Sequence, residues 1–268
     1  MSTSTRILNT DIWQVQSEYE FAKFSNRDPA EHFVIDVYFF MKETIIWLVH
    51  TPAGTVGLIA AAVALYTKKG SALHRKSGNY FTVSMLIMLV AGSVAALLKE
   101  SPGDVILSAV VMYTVSTAWL TAQRKVGETG LLEKAAIVWI LAVAIAAIIL
   151  SARRSETDTL SIYHFWAGFA VFCAVGDIRS LRRAGLTGVQ RVIRHVWRIG
   201  FSLVWTALAL TDKIIKAQGS NVKEMPVDQL FYIVGIPTML ILILTLYWVI
   251  NILFFSRKKF ARYGRLPN

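Results

Sequence analysis

Seven long stretches without a charged residue constrain this chain more than any other feature of its sequence. They cover residues 44–67, 77–98, 105–122, 135–152, 159–176, 199–211 and 229–256. An α-helix needs about 20 apolar residues to cross the hydrocarbon core of a bilayer, and it satisfies its own backbone hydrogen bonds there. The hydrophobic content of 55% also exceeds that of an ordinary soluble domain. We therefore predict an all-α, polytopic transmembrane helix bundle with seven spans.

The sixth stretch is too short to span a bilayer alone, so its helix is predicted to extend backwards through residues 190–198. That extension brings Arg191, Arg194, His195 and Arg198 to the membrane edge. No Asp or Glu lies within the seven stretches. Since proton relays commonly use intramembrane carboxylates, this argues against proton-coupled transport.

The basic residues between the spans predict the orientation of the bundle. Of the 28 Lys and Arg residues, 18 lie in four alternate connections, at residues 68–76, 123–134, 177–198 and 256–268. Positive residues in short loops face the cytoplasm, so the N-terminus is predicted outside and the C-terminus in the cytoplasm. This orientation and anionic lipid headgroups at the cytoplasmic face account for the net charge of +11. No nucleic acid is expected as a partner.

Composition divides the chain into three regions. Residues 1–43 mix aromatic with charged residues, which predicts an amphipathic segment on the outer face of the membrane. Residues 44–256 form the predicted membrane domain. Residues 257–268 form a basic cytoplasmic tail.

A histidine motif occurs twice and predicts an internal repeat. The pattern H-x-x-A-G begins at His50 in the first span and at His164 in the fifth. In each case a second histidine, His74 or His195, follows at the start of the next span. This predicts a parallel repeat of a two-helix unit, at about residues 44–98 and 159–212.

The depths of these histidines suggest a cofactor. His50 and His164 are predicted about 8 to 10 Å below the outer edge of the membrane, with His74 and His195 at the inner boundary. Imidazoles on facing helices of a bundle suit the axial positions of a haem iron. One or two b-type haems would then carry electrons across the membrane to a redox partner. Three arginines are placed to neutralise the haem propionates: Arg191, Arg194 and Arg198.

Two other classes of function stay open at this stage. If no haem is bound, the histidines are expected to form hydrogen bonds with backbone carbonyls or neighbouring hydroxyls. The three arginines Arg191, Arg194 and Arg198 would then bind lipid phosphate. The chain would then be a transporter or a protein that binds an anionic lipid or solute. A non-catalytic subunit of a membrane complex is the third alternative. No zinc-protease, nucleophile-elbow, phosphate-loop or dinucleotide motif is present, so no enzyme class is assigned.

The segments around both histidine motifs resemble a bacterial family of predicted multi-pass membrane proteins catalogued as a domain of unknown function (DUF2306-like). That family combines an H-x-x-x-G helix, a K-G loop, an H-R-x-x-G helix start and a later R-H-x-W-R segment. The matching residues are His50, Gly54, Lys69, Gly70, His74, Arg75 and Gly78, followed by Arg194, His195, Trp197 and Arg198. The match covers about residues 44–212. It implies an integral protein of the bacterial inner membrane and supplies no activity.

A looser similarity is to the di-haem transmembrane cytochromes b, which place two histidine pairs at opposite depths of a four-helix core. This similarity implies haem ligation by the same four histidines. The chain departs from that pattern, because His74 and His195 lie at the predicted membrane edge and two extra helices separate the repeats.

Overall fold

The computed structural model describes residues 44–124, 128–153, 162–183, 185–186, 188–217, 219 and 225–255, together with 37, 40 and 41. Within these ranges the chain is helical and contains no β-strand. The all-α prediction is therefore confirmed for this part of the chain. The predicted outer segment, apart from those three residues, and the basic tail lie outside the described residues.

Seven long helices follow one another along the described part of the chain. They are α1 (Thr51–Tyr66), α2 (Ala72–Leu98), α3 (Pro102–Gln123), α4 (Leu131–Ala152), α5 (Ile162–Arg182), α6 (Gly188–Ala217) and α7 (Ile236–Ile250). A π-helical turn, Ile46–His50, precedes α1, and another, Phe231–Gly235, precedes α7. In both helices a proline, Pro52 or Pro237, is the second residue after the π-helical turn. Because the helix is continuous there, the missing N–H leaves a carbonyl oxygen of the preceding turn without its helical donor.

The connection between α1 and α2 is held by polar contacts with the end of α1. Gly70 adopts a φ of 78°, which lets the chain turn sharply there. Lys69 Nζ donates to the carbonyl oxygens of Ala64, at 3.0 Å, and Leu65, at 2.5 Å. These carbonyls have no partner within α1, so the lysine caps its C-terminus. Partial burial lowers the pKa of Lys69.

Five of the seven helices are long and apolar enough to cross a membrane, judged by length and composition. They are Leu48–Tyr66, Ala72–Leu98, Pro102–Gln123, Leu131–Ala152 and Val227–Phe254. Helices α5 and α6 contain 21 and 30 residues, so they are also long enough, at about 30 and 45 Å. These two helices are not among the five apolar ones, because α5 carries Asp177 and two arginines and α6 carries several charged residues. The apolar helices indicate an integral membrane protein.

Helix α3 lies at the centre of the bundle. It packs against α2, α4, α5 and α6, whereas α1 packs on α2 and α7 packs on α6. Val110 on one side of α3 belongs to a core shared with α4 and α5, and Val115 belongs to a second core shared with α1, α2 and α6. Side chains on α3 therefore contact most of the other helices.

The two helix pairs of the predicted repeat pack differently. Helix α1 lies close to α2, because Gly54 and Gly57 leave room for Met88 and Met85. The described lengths of α5 and α6 make no comparable close backbone contact. Bulky aromatic rings fill the space between them: Phe165, Trp166, Phe169, Trp197, Phe201 and Trp205. The internal repeat stays a prediction from sequence.

Candidate functional site

One face of α6 carries a polar stripe that docks against α3. Four residues at helical spacing form it: Arg191, His195, Arg198 and Ser202. Ser202 Oγ lies 2.8 Å from Thr114 Oγ1, and His195 Nδ1 lies 3.1 Å from the carbonyl oxygen of Ala118. The predicted backward extension of the sixth helix through residues 190–198 is confirmed, since α6 begins at Gly188.

Arg191 caps the C-terminus of α3. Its Nε donates to the carbonyl oxygen of Thr121 at 2.6 Å, and its Nη2 donates to Ala122 at 2.9 Å and also to Arg124. The last carbonyls of a helix lack helical partners, and a cation at that end complements the helix dipole. In this structure the guanidinium of Arg191 is therefore engaged in joining α6 to α3.

A buried ionic cluster lies around Arg198, one of the residues of this stripe. Asp177 of α5 accepts at Oδ1 from Arg198 Nη2, at 2.5 Å, and from Arg194 Nη2, at 3.0 Å. The other oxygen, Oδ2, accepts from the Tyr113 hydroxyl of α3 at 2.7 Å. Arg198 Nη2 also donates to that hydroxyl oxygen at 3.1 Å. We call these four residues the Asp177 cluster.

The Asp177 cluster carries an unbalanced charge in a buried place. Two guanidinium groups share one carboxylate, so its net charge is positive. The side chain of Arg198 is 2% exposed and that of Asp177 is 5% exposed. Within the described residues, Arg198 Nε, Arg198 Nη1 and Arg194 Nε have no hydrogen-bond partner. Buried donors of this kind are rare and require an explanation.

Aromatic rings surround the Arg198 guanidinium. Its Cζ lies 5.0 Å from the ring centroid of Tyr113 and 5.3 Å from that of Trp197. These cation–π contacts stabilise the positive charge where water is excluded. They offset part of the free-energy cost of removing Arg198 from water, but the rings carry no negative charge that would balance the guanidinium.

The cluster lies at mid-depth of α3. Tyr113 is about 15 Å from either end of the helix Pro102–Gln123. The prediction that Asp177 lies in a connection was wrong, because Asp177 belongs to the helix α5, which ends at Arg182. Each predicted span ended at its first charged residue, whereas an ion pair with α6 lets α5 continue through Asp177 to Arg182.

A polar cleft leads from one end of the bundle to the cluster. Its volume is about 40 Å³. Its lining includes Thr117, Thr121, Arg124, Ser180, Arg191 and Arg194. We call this end of the bundle, where α3 and α5 end and α4 and α6 begin, the basic end. Because Arg194 lines the cleft and also binds Asp177, the deep part of the cleft adjoins the cluster.

The wall of the cleft is held in place by a second ion pair. Arg124 Nε donates to Glu133 Oε1 at 2.8 Å, and Glu133 Oε2 accepts from the backbone N–H of Gly130. The hydrogen bond with Glu133 raises the pKa of Arg124, which stays charged. This pair ties the end of α3 to the start of α4.

Three of the four predicted haem ligands contact a backbone carbonyl on a neighbouring helix. Nδ1 of His50 lies 2.8 Å from Met88 O, and Nδ1 of His74 lies 3.0 Å from Ala64 O. His195 makes the same contact with α3. Because a carbonyl oxygen only accepts, Nδ1 carries the hydrogen and Nε2 is left as an acceptor. Metal-ligating histidines commonly use this arrangement, so each ring by itself fits an axial ligand.

The two predicted histidine pairs differ in how close their members lie in the structure. Helix α1 with its preceding turn, which carries His50, does not pack against α5, which carries His164. Both ring nitrogens of His164 lie within 3.1 Å of Ser151 Oγ on α4. His74 and His195 lie near enough to interact electrostatically. Among the described residues, no three His, Cys, Asp or Glu side chains come together to hold a metal ion.

Sequence reasoning found two members of the Asp177 cluster and missed the other two. Arg194 and Arg198 were candidate site residues, and the structure brings them together on one carboxylate. Asp177 and Tyr113 were not predicted. Asp177 is the only acidic residue in the segment 177–198, among six arginines, and that isolation is the signal that marks it.

The fold and the cluster together define an integral membrane protein with a buried, positively charged site. No family model, curated protein or solved structure matches the chain. The two family resemblances therefore stay predictions from sequence.

Proposed function

We propose that the chain is a membrane protein that binds an anion at the Asp177 cluster, as a transporter does at its central site. The observation that carries this proposal is the net positive charge of the buried cluster, with three guanidinium nitrogens lacking a partner among the described residues. A charged group inside a membrane protein is strongly disfavoured unless it has a functional or structural partner. An anion supplies both the missing charge and the missing acceptors.

The position of the cluster supports binding from one side of the membrane. The cleft at the basic end reaches Arg194, Thr117 and Ser180. On the other side of the cluster, the packed core residues Val110, Ile140 and Ala170 are fully buried. Substrate sites of many transporters lie near the middle of the bilayer, with access from one face at a time. The cluster corresponds to such a central site, and the cleft corresponds to its access route from the cytoplasmic face.

The orientation and location belong to the same proposal. We infer seven crossings, with α5 and α6 in the membrane and the basic end facing the cytoplasm of a bacterial cell. The distribution of Lys and Arg along the sequence supports this orientation. Pairing of Asp177 with two arginines supports the insertion of α5, since the pair offsets charges that would otherwise meet lipid.

Thermal unfolding of the purified protein in detergent tests anion binding. Chloride, nitrate, sulfate and phosphate are added separately to a buffer whose balancing anion is gluconate, a larger organic anion that is expected not to reach the buried arginines. At least one anion is expected to stabilise the fold, by about 2.7 kcal/mol at a hundred times its Kd. Arg194→Gln is expected to abolish this effect, because Arg194 borders both the cleft and Asp177.

The matched control is Arg182→Gln, which removes an exposed arginine at the end of α5. This variant is expected to respond to anions as the unmodified protein does. Equal responses of the Arg194 and Arg182 variants would show that the anions act on general surface charge. The proposed function would then be rejected.

Haem binding stays a separate prediction, favoured by the contacts of His50, His74 and His195 with backbone carbonyls through Nδ1. A b-type haem held by these residues is expected to give a Soret band and a reduced α band. The measurement is the reduced-minus-oxidised absorbance spectrum of protein expressed with ample haem. Absence of both bands would reject the electron-transfer hypothesis and leave the anion proposal untouched.

A further inference from the structure

We infer that the anion bound at the Asp177 cluster is small and singly charged, in the class of chloride and nitrate. This inference rests on the proposed function and names its ligand class. Charge, size and donor geometry each support it.

Charge is the first argument. The cluster contains two guanidinium groups, one carboxylate and one neutral phenol. One further negative charge therefore brings its sum to zero. A dianion such as sulfate would leave an uncompensated negative charge at mid-membrane, where such a charge is strongly disfavoured. The other charged residues that line the cleft do not alter this count, since Glu133 pairs with Arg124. The charge of Glu128 likewise offsets that of Arg191.

Size is the second argument. The cleft is open to its surroundings, and Arg194 is the member of the cluster that lines it. The side chain of Arg198 is 2% exposed, so its free N–H groups lie behind packed atoms. A halide or a nitrate ion is small enough to reach donors buried to this degree, whereas a glycerophosphate headgroup or a sugar phosphate is not.

The arrangement of donors is the third argument. Arg194 and Arg198 both direct Nη2 to the same oxygen of Asp177, which leaves Nε on each and Nη1 on Arg198 without a partner among the described residues. Asp177 already occupies the acceptor position between the two arginines. An additional anion therefore binds beside Asp177 and uses the remaining N–H groups, which suits a compact ion with few acceptor atoms.

Trp197 provides a reporter beside the proposed site. Its ring centroid lies 5.3 Å from Arg198 Cζ. Iodide is a monovalent anion that quenches tryptophan fluorescence on contact. Iodide bound at the cluster is therefore expected to quench Trp197 in a saturable way.

The experiment is an iodide titration of the full chain in phosphatidylcholine vesicles, at constant ionic strength with gluconate as the balancing anion. We expect a saturable component of quenching that Trp197→Phe removes and Arg194→Gln abolishes. Arg182→Gln is expected to leave it unchanged. At an alkaline pH, where phosphate is a dianion as sulfate is, chloride and nitrate are expected to displace iodide, and sulfate and phosphate to do so about a hundredfold more weakly.

Three outcomes would overturn the inference and leave the proposed function in place. Sulfate or phosphate could displace iodide as well as chloride does. Exchange of phosphatidylcholine for phosphatidylglycerol could remove the saturable quenching, which would identify a lipid headgroup as the occupant. The quenching could also fail to saturate while another anion still gives an Arg194-dependent thermal shift. The absence of every Arg194-dependent anion effect would instead reject the proposed function itself.

Discussion

Replacing Asp177 with asparagine is expected to lower the free energy of unfolding by about 3 to 5 kcal/mol. The substitution keeps the size of the side chain and removes its charge. Arg194 and Arg198 would then lie buried beside each other without a counter-ion. Their mutual repulsion and their lost hydration both act against the folded state. Unfolding of the protein in mixed detergent micelles measures the effect.

The control for this prediction is a carboxylate in an exposed pair. Asp212 accepts from Lys216 Nζ at 2.7 Å, and the two side chains are 37% and 58% exposed. Asp212→Asn is expected to change the free energy of unfolding by less than about 1 kcal/mol, because water screens such pairs. Equal effects of the two substitutions would contradict a buried ion pair at Asp177.

Replacing Gly200 with alanine is expected to destabilise the protein by about 1 to 3 kcal/mol. Helices α6 and α7 approach each other closely here, and a Cβ atom at Gly200 would overlap Thr245 Oγ1 and lie 2.9 Å from Thr245 Cβ. Both atoms are close to the α7 backbone, so α7 has to shift as a whole. Since α6 is the long helix against which α7 packs, the shift weakens the attachment of α7.

Two further variants separate this clash from a general effect of substituting glycine. Gly168→Ala, in α5, is expected to be neutral or slightly stabilising, because no atom lies within 4 Å of its added Cβ and alanine favours a helix. Combining Gly200→Ala with Thr245→Gly is expected to recover about 1 to 2 kcal/mol relative to the sum of the single changes. The thermal unfolding of the unmodified protein, the three single variants Gly168→Ala, Gly200→Ala and Thr245→Gly, and the double variant is compared. Additive effects of Gly200 and Thr245 would show that the two residues do not meet.

The local features of the sequence predicted the helices well. Uncharged runs gave the positions of α1 to α4 to within a few residues, because lipid imposes the same length and apolarity on every span. The short sixth run required an extension, and α6 begins two residues before the predicted segment 190–198. The spacing of Arg191, His195 and Arg198 along the sequence also places these three residues on one face of α6.

The same reasoning misjudged the helix that carries Asp177. Treating each charged residue as the end of a span assumes that the charge faces lipid or water. Asp177 instead faces arginines on α6 and Tyr113 on α3, which lies 64 residues earlier in the chain. The histidines illustrate the same limit, since their shared motif did not indicate that His50 would contact α2 and His164 would contact α4.

The sequence by itself determined that this chain is helical, that its helices suit a membrane, and which face of α6 is polar. Those properties depend on residues within one helix, where spacing of 1.5 Å and 3.6 residues per turn leaves little freedom. Only the tertiary structure decided that three helices enclose a charged cluster at mid-depth. The energy of a buried charge depends on its neighbours in space, and for Asp177 these neighbours come from two other helices.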